Sequence, residues 1–405
     1  MPNPIRIAAG LTALCLVLTS CTLFTAGGHG GSGSPSTTAV GGTTDTPYTA
    51  PPRPDAQANA DAALAALPEA DFSGTTLLIA SANEISANPL FPADGTLGED
   101  QARLNRNAAV ETRYGISFIP SAASVNDIYT DALAAQNAGL YYADLLVLPA
   151  DQVGRFTSAG LLRNLRNLPF WRGEEGTDAI YADVGEAILD HSHLPAVFFN
   201  RALAESLGYD FYAAVEEGRW TWELYLEAAS AAASLDGVSG HALSPTDDAG
   251  YDELAAATLT PDTPAATLSD LLTRLRQSPP RAANVAGNDI AALQSFTGGG
   301  LLFCVADLFY MDWIFDASTA WGILPLPTLD GETRTPAPVN APVLCVTANN
   351  EKFELTGLTL AALDAASTDV ITDAFITERL RERLRDWQSA AMLQRIADNV
   401  VWRVK

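Results

Sequence analysis

Apolar runs of two different periods alternate along the chain. After Ser73-Gly74, Thr75 to Ala80 is a nearly continuous apolar run of strand length, followed by polar Ser81, Asn83 and Glu84. Gly98 to Tyr114 has helical spacing and stops at Gly115, a residue suited to the left-handed position after a helix. Ile116 to Ile119 predicts a second strand, Asp127 to Gln136 a second helix stopped near Gly139, and Asp144 to Leu148 a third strand ended by Pro149. Farther on, Pro195 to Asn200 predicts a strand and Arg201 to Leu207 a short helix closed by Gly208. Thr221 can cap a helix running through Ser234 and stopped by Gly237. Gly298-Gly299-Gly300 opens a strand around Cys304. Trp321 to Pro327 is extended because its prolines bar helix, and Val343 to Thr347 is the last strand. Ile376, Leu380, Leu384 and Trp387 share one helical face. The stretch 236–290 has the weakest pattern, with helical patches at 251–257 and 266–276.

Alternation of strands and helices with short connections predicts an α/β protein with a largely parallel sheet and crossover helices. Ligands of such sheets sit beyond the carboxyl ends of strands. The readable ends are Asn83-Glu84 and Pro149-Ala150-Asp151-Gln152.

The N-terminus follows different rules. Arg6 precedes an apolar or small run, Ile7 to Val17, too short to remain as a membrane-spanning helix. It leads into Leu18-Thr19-Ser20-Cys21, which resembles a bacterial lipobox, with 1–20 as signal peptide and Cys21 as the lipidated residue. From Thr22 to about Pro54 the chain is mainly Gly, Ser, Thr, Pro and Ala, too poor in large apolar residues to offset the entropy of ordering. Residues 21–70 therefore read as a lipid-anchored flexible linker, with the lipid as the membrane anchor.

Charge narrows the partners. The 405 residues carry a formal net charge of −25, and Lys352 and Lys405 are the only lysines. No basic surface is available to neutralise phosphates, so nucleic acid is excluded as a partner. Common catalytic and metal patterns are absent from the sequence: there is no Gly-x-Ser-x-Gly elbow, no Gly-rich phosphate loop and no His-Glu-x-x-His. His191-Ser192-His193 is the single histidine cluster, and without further ligands it reads as polar loop histidines rather than a zinc site. Carboxylate pairs such as Glu216-Glu217 read as solvated faces. The sequence therefore predicts no catalytic residue, no metal and no cofactor. Cys304 and Cys345 sit in strand-like runs and read as buried free thiols.

Five segments, in order, resemble the family 1 extracellular solute-binding proteins of bacterial ABC importers, in particular their lipoprotein, carbohydrate-type members. They are Ala108 to Ile116; Tyr142 to Leu146 with Ala159 to Leu165; Phe198 to Leu203 with Gly218 to Glu223; Phe296 to Phe303; and Trp321 to Pro327. The resemblance implies a two-lobed periplasmic-binding-protein-like fold of type II, with hinge-linked lobes around a ligand cleft. Lobe 1 would be 71–193 and 324–366, and lobe 2 would be 194–323 and 367–405. By the family's placement, Asn83 and Glu84, Asp151 and Gln152, and from the other lobe Asp307, Tyr310 and Trp313 reach the cleft. Acid and amide groups suit sugar hydroxyls and aromatic rings suit sugar faces. Each residue also fits a plainer role: Asn83 and Asp151 as strand terminators, Trp313 and Trp321 as core, Trp220 and Trp222 as packing around a helix start.

The implied function is that of a monomeric, non-enzymatic subunit on the extracytoplasmic face of the bacterial membrane. It would capture a sugar or oligosaccharide and deliver it to an ABC permease. A surface sensor of the same fold and a glycan-acting enzyme are the alternatives.

Overall fold

A computed structural model describes residues 55–401 apart from 86–87, 93–97, 172–178, 244–254, 256–257, 261–262, 278–288, 316, 318, 339–340, 383 and 385. The signal segment, Cys21 and most of the linker lie outside these residues, as does nearly all of the helical patch expected at 251–257. The described residues all belong to one compact unit, Thr46–Lys405.

In chain order the first half gives α1 (Ala56–Ala65), β1 (Thr75–Ala82), α2 (Gly98–Tyr114), β2 (Ile116–Ala123), α3 (Val125–Asn137), β3 (Leu145–Pro149) and α4 (Val153–Ser158). The middle gives β4 (Pro195–Asn200), α5 (Arg201–Leu207), α6 (Phe211–Glu216), α7 (Trp222–Ala233), β5 (Ser239–Leu243), α8 (Ala265–Gln277), α9 (Asp289–Thr297), β6 (Leu301–Asp307), α10 (Met311–Ile314) and β7 (Trp321–Leu324). The last part gives β8 (Thr335–Pro336), β9 (Pro342–Val346), α11 (Phe353–Ser367), α12 (Val370–Glu382), α13 (Trp387–Asp398) and β10 (Val400–Val401).

The strands form two four-stranded sheets and a two-residue pair, β8 with β10. Sheet 1 has the order β2-β1-β3-β9. Its β1–β2 and β1–β3 pairs are parallel, and β9 closes one edge antiparallel to β3. Alternate residues of its strands feed two cores. Leu77, Ile79, Leu145, Val147, Leu344 and Val346 face α2 and α11, while Ala80, Leu146, Leu148, Val343 and Cys345 face α3. Covering on both faces is why these strands read as continuous apolar runs. Each large apolar side chain so buried is worth about 1.5–3 kcal/mol.

Sheet 2 has the order β5-β6-β4-β7. Its pairing differs from that of sheet 1: β4 is antiparallel to both β6 and β7, and only β5–β6 is parallel. One face, with Val197, Phe199, Phe303 and Leu324, packs on α6 and α7. The other, with Phe198, Cys304 and Ile323, packs on α9, α12 and α13. Trp220 and Trp222 are buried packing residues of the first core, and Trp321 is buried in the second. Cys304 and Cys345 are both buried and free, in different sheets.

Two expectations change. Ala56–Ala65 forms a helix where the composition reads as linker: Asp55 Oδ1 accepts from Ala58 N–H at 3.2 Å, and Ala60 is buried. Ile376 and Trp387 do not share one helix, because α12 ends and Asp386 caps a new one by accepting from Ser389 N–H at 2.7 Å. The open edge of sheet 1 is protected. Phe118 N–H on β2 is taken by Glu111 Oε1 at 2.7 Å, and Pro120 has no N–H to offer, so neither position can template a further strand.

Candidate functional site

Both sheets present one end to the segments that join them. Asp183 bridges Leu344 of β9 in antiparallel fashion, so the chain beyond it heads towards Pro342 and on to β4. The return path leaves β7 at Leu324 and re-enters sheet 1 at Pro342, which is paired with Pro149 at the carboxyl end of β3. On sheet 2 the corresponding end holds Pro195, paired with Asp307. The candidate residues therefore fall into two groups, one at the crossover end of each sheet.

On sheet 1, Asn83 and Glu84 are exposed and follow β1. Glu84 is already engaged: its two carboxylate oxygens accept from Val125 N–H at 3.0 and 2.9 Å. That places a negative charge on the first N–H of α3, where helix dipole and unpaired donors both favour it. Asp151 is exposed in the turn after β3, and Gln152 Nε2 donates to its Oδ2 at 3.1 Å. Nearby, the Arg155 guanidinium lies 4.0 Å from the Tyr129 ring centre and donates to Asn126 Oδ1 at 2.8 Å.

On sheet 2, Asp307 ends β6, and the turn and short helix after it carry Tyr310 and Trp313. Trp313 is 55% exposed, so it is not core. Phe309, which the sequence did not single out, is 47% exposed beside it and meets Tyr310 edge-on at 5.6 Å. His193 lies almost parallel to Phe309 at 6.1 Å and stands between two acids, Nδ1 3.5 Å from Asp307 Oδ2 and Nε2 3.6 Å from Asp190 Oδ2. The interaction with Asp307 raises the His193 imidazole above its ordinary value; burial opposes this and the charges of Asp190 and Asp307 reinforce it. The two groups belong to different sheets, and the contacts described for each stay on its own side. A cavity of about 860 Å³ at Leu64, Asp71, Ala109 and Arg113 is lined by none of the seven residues.

His191 corrects the loop reading. Its ring is fully buried, in a 3-10 turn that Asp190 caps by accepting from Ser192 N–H at 3.0 Å. Asp183, on the way into the same crossover, accepts from Trp171 Nε1 at 2.9 Å. Burial, with the charge of Asp364 behind it, pushes its carboxyl up to about 7. The folded protein thus holds this proton more tightly than the unfolded chain. Stability from it is full below the ordinary carboxylate range and is lost as pH rises through about 7. Asp183→Asn keeps an acceptor for Trp171 but disturbs the bond from Val184 N–H. The expected result is a gain of about 1 kcal/mol at pH 8 and a flatter stability profile between pH 4 and 7, read by urea unfolding. A loss at pH 8 would show that the carboxylate is satisfied there.

No protein-family model and no curated protein matches the chain. Solved structures do. A family 1 extracellular solute-binding protein from Bifidobacterium longum subsp. infantis is similar at a TM-score of 0.52 and 12% identity, over 82% of this chain and 89% of that one. One from Alicyclobacillus acidocaldarius gives 0.52 and 12%, over 82% and 88%. UspC of M. tuberculosis gives 0.52 and 14%, over 81% and 90%. The chain has the α/β, two-lobed fold of the family 1 extracellular solute-binding proteins.

Proposed function

We propose that this chain captures a sugar or oligosaccharide between its two sheets. The observation that carries the reading is the placement of polar groups at the crossover end of sheet 1 (Asn83, Asp151, Gln152) and, at that of sheet 2, of an acid (Asp307) with the exposed rings of Phe309 and Trp313 and the half-buried ring of Tyr310. Hinge closure in such folds brings two faces onto a ligand. Carboxylates and amides accept and donate to hydroxyls, and exposed rings cover the apolar face of a pyranose. Glu84 takes an indirect part, holding α3 in place.

On this reading the protein is a binding subunit, a monomer that performs no reaction. Lipid at Cys21 anchors it outside the cytoplasmic membrane, and it hands its solute to an ABC permease. Lobe 1 then comprises 71–193 and 324–366, and lobe 2 comprises 194–323 and 367–405. None of the described helices is long and apolar enough to cross a membrane.

A thermal-shift screen tests this. A ligand at 100 times its Kd adds about 2.7 kcal/mol to stability, a shift of several degrees. One sugar class should give that shift, and Asp307→Ala and Trp313→Ala should each weaken binding about tenfold or more. A cooperatively folded sample that answers to no sugar would remove the proposal.

A further inference from the structure

The first crossover, Gly185 to Leu194, is fastened along its length by buried and half-buried groups. Arg106 Nη1 donates to Ala187 O at 2.7 Å and Arg103 Nη2 to Leu189 O at 2.6 Å. Glu186 Oε2 accepts from Asp369 N–H at 3.0 Å, and its Oε1 accepts from Thr372 N–H at 3.0 Å and from Thr372 Oγ1 at 2.8 Å. His191 sits in the middle. Its Nδ1 is 2.9 Å from Glu99 Oε1, its Nε2 is 3.1 Å from Thr372 Oγ1, and its ring stacks on Phe375 at 5.0 Å.

Donor counting fixes the state of this ring. The Thr372 hydroxyl has one proton, and it goes to Glu186. Towards His191 it can only accept, so Nε2 carries a proton. Glu99 Oε1 also accepts from Arg103 Nη2, and this pairing with a guanidinium makes Glu99 a carboxylate that can only accept from Nδ1. Both ring nitrogens donate, and only the imidazolium does that.

We propose that His191 is a buried imidazolium that bolts the crossover between the sheets to α2 on one side and α12 on the other, and that loss of one proton releases the crossover. The groups around it are Glu99, paired with Arg103, on α2, and Thr372 and Phe375 on α12; beyond them Glu186 of the crossover accepts from Thr372, Arg379 of α12 acts on Glu99, and Asp190 is turned to Ser192 and His193. A neutral ring has one donor, so either Glu99 or Thr372 must go without. Any hinge motion between the sheets passes through this segment. The inference rests on the fold and stands whether or not a sugar binds.

Two readouts on the full chain test it between pH 6 and pH 9. Ring ¹⁵N shifts, with the His191 signal assigned by its absence in His191→Gln, report both nitrogens. Amide exchange of 185–194, corrected for intrinsic rates, reports the crossover. Both nitrogens should be protonated at pH 6, and crossover opening should rise roughly tenfold at the pH where the ring loses a proton. Thr372→Val, which removes the acceptor at Nε2 together with the hydroxyl that Glu186 accepts from, should raise opening at pH 6 and move the His191 ring signals. The proposal is overturned by an unprotonated ring nitrogen at pH 6. It is equally overturned by a crossover whose opening does not follow the ring, or by Thr372→Val exchange equal to wild type. If His191→Gln does not fold, the histidine signal moved by Thr372→Val supplies the assignment.

Discussion

Phe303→Ala is expected to cost about 4 kcal/mol of stability. Phe303 lies in the middle of β6, fully buried, and stacks on Tyr225 at 4.7 Å. Phe211 and Trp220 approach it at 5.1 and 5.7 Å. Truncation removes the apolar transfer energy of the ring and leaves a cavity. The cavity cannot close by moving the backbone, because β6 is hydrogen-bonded to β5 on one side and β4 on the other. Three aromatic contacts are lost as well, each worth about 0.5–1.5 kcal/mol, although neighbouring terms do not simply add. Urea unfolding should show a lower midpoint with an unchanged slope. A loss under about 2 kcal/mol would mean that Tyr225 and Phe211 repack into the space.

The strands around which both sheets are built were legible because each is covered on both faces. Leu77 to Ala80, Leu145 to Leu148, Ala196 to Phe199 and Leu301 to Val305 are apolar at successive positions, as a doubly covered strand requires. Gly208 takes the left-handed conformation at φ 81° and ends α5 where the pattern ended it. Elements that depend on distant partners were not legible. Ser239–Leu243 has little apolar pattern and is a strand because β6 lies beside it. The heptad-like spacing through Ile376, Leu384 and Trp387 suggested one helix, whereas the capping signal of Asp386 with Ser389 three residues on marks a second start. Gly357 inside α11 looks like a weak helix residue. A Cβ there would stand 2.0 Å from Pro169 O, so the position demands glycine for close approach.

The candidate site divides in the same way. Asn83, Asp151 and Gln152 followed from the rule that ligands gather beyond strand ends, which needs only local sequence. The use of Glu84 as an anchor for α3 did not, since Val125 lies far along the chain. Phe309, and the place of His193 beside Asp307, escaped notice for the same reason: their stacking, and the pairing of His193 with Asp307, exist only once β4 and β6 are side by side. The histidine pair looked alike in sequence, yet a 3-10 turn sends His191 into the interior and leaves His193 partly in solvent.

One of the two lysines carries the second large effect. Asp144 is fully buried at the start of sheet 1, where its Oδ2 accepts from Leu78 N–H at 2.8 Å and from Lys352 Nζ at 2.9 Å. Lys352 also donates to Thr76 O at 2.7 Å and lies 5.4 Å from the Tyr141 ring centre. Burial pushes the Asp144 carboxyl above its ordinary value, and Leu78 N–H and Lys352 hold it back. Lys352→Met keeps the stem and removes the charge, so the carboxylate is left with one donor in a dry site. Breaking a buried pair costs about 3–5 kcal/mol; about 3 is expected, because Lys352 keeps a third of its side chain in water. The sign with pH follows from the raised carboxyl. Protonating Asp144 relieves the unpaired charge, so the deficit should be largest at pH 8 and shrink towards pH 4. Adding Asp144→Asn to Lys352→Met should recover at least about half of the loss at pH 8, since a neutral amide no longer needs a cation. A Lys352→Met protein within about 0.5 kcal/mol of wild type at pH 8 would show that Leu78 N–H alone satisfies the carboxylate. A deficit that does not vary with pH would place the cost in lost packing on Tyr141 instead.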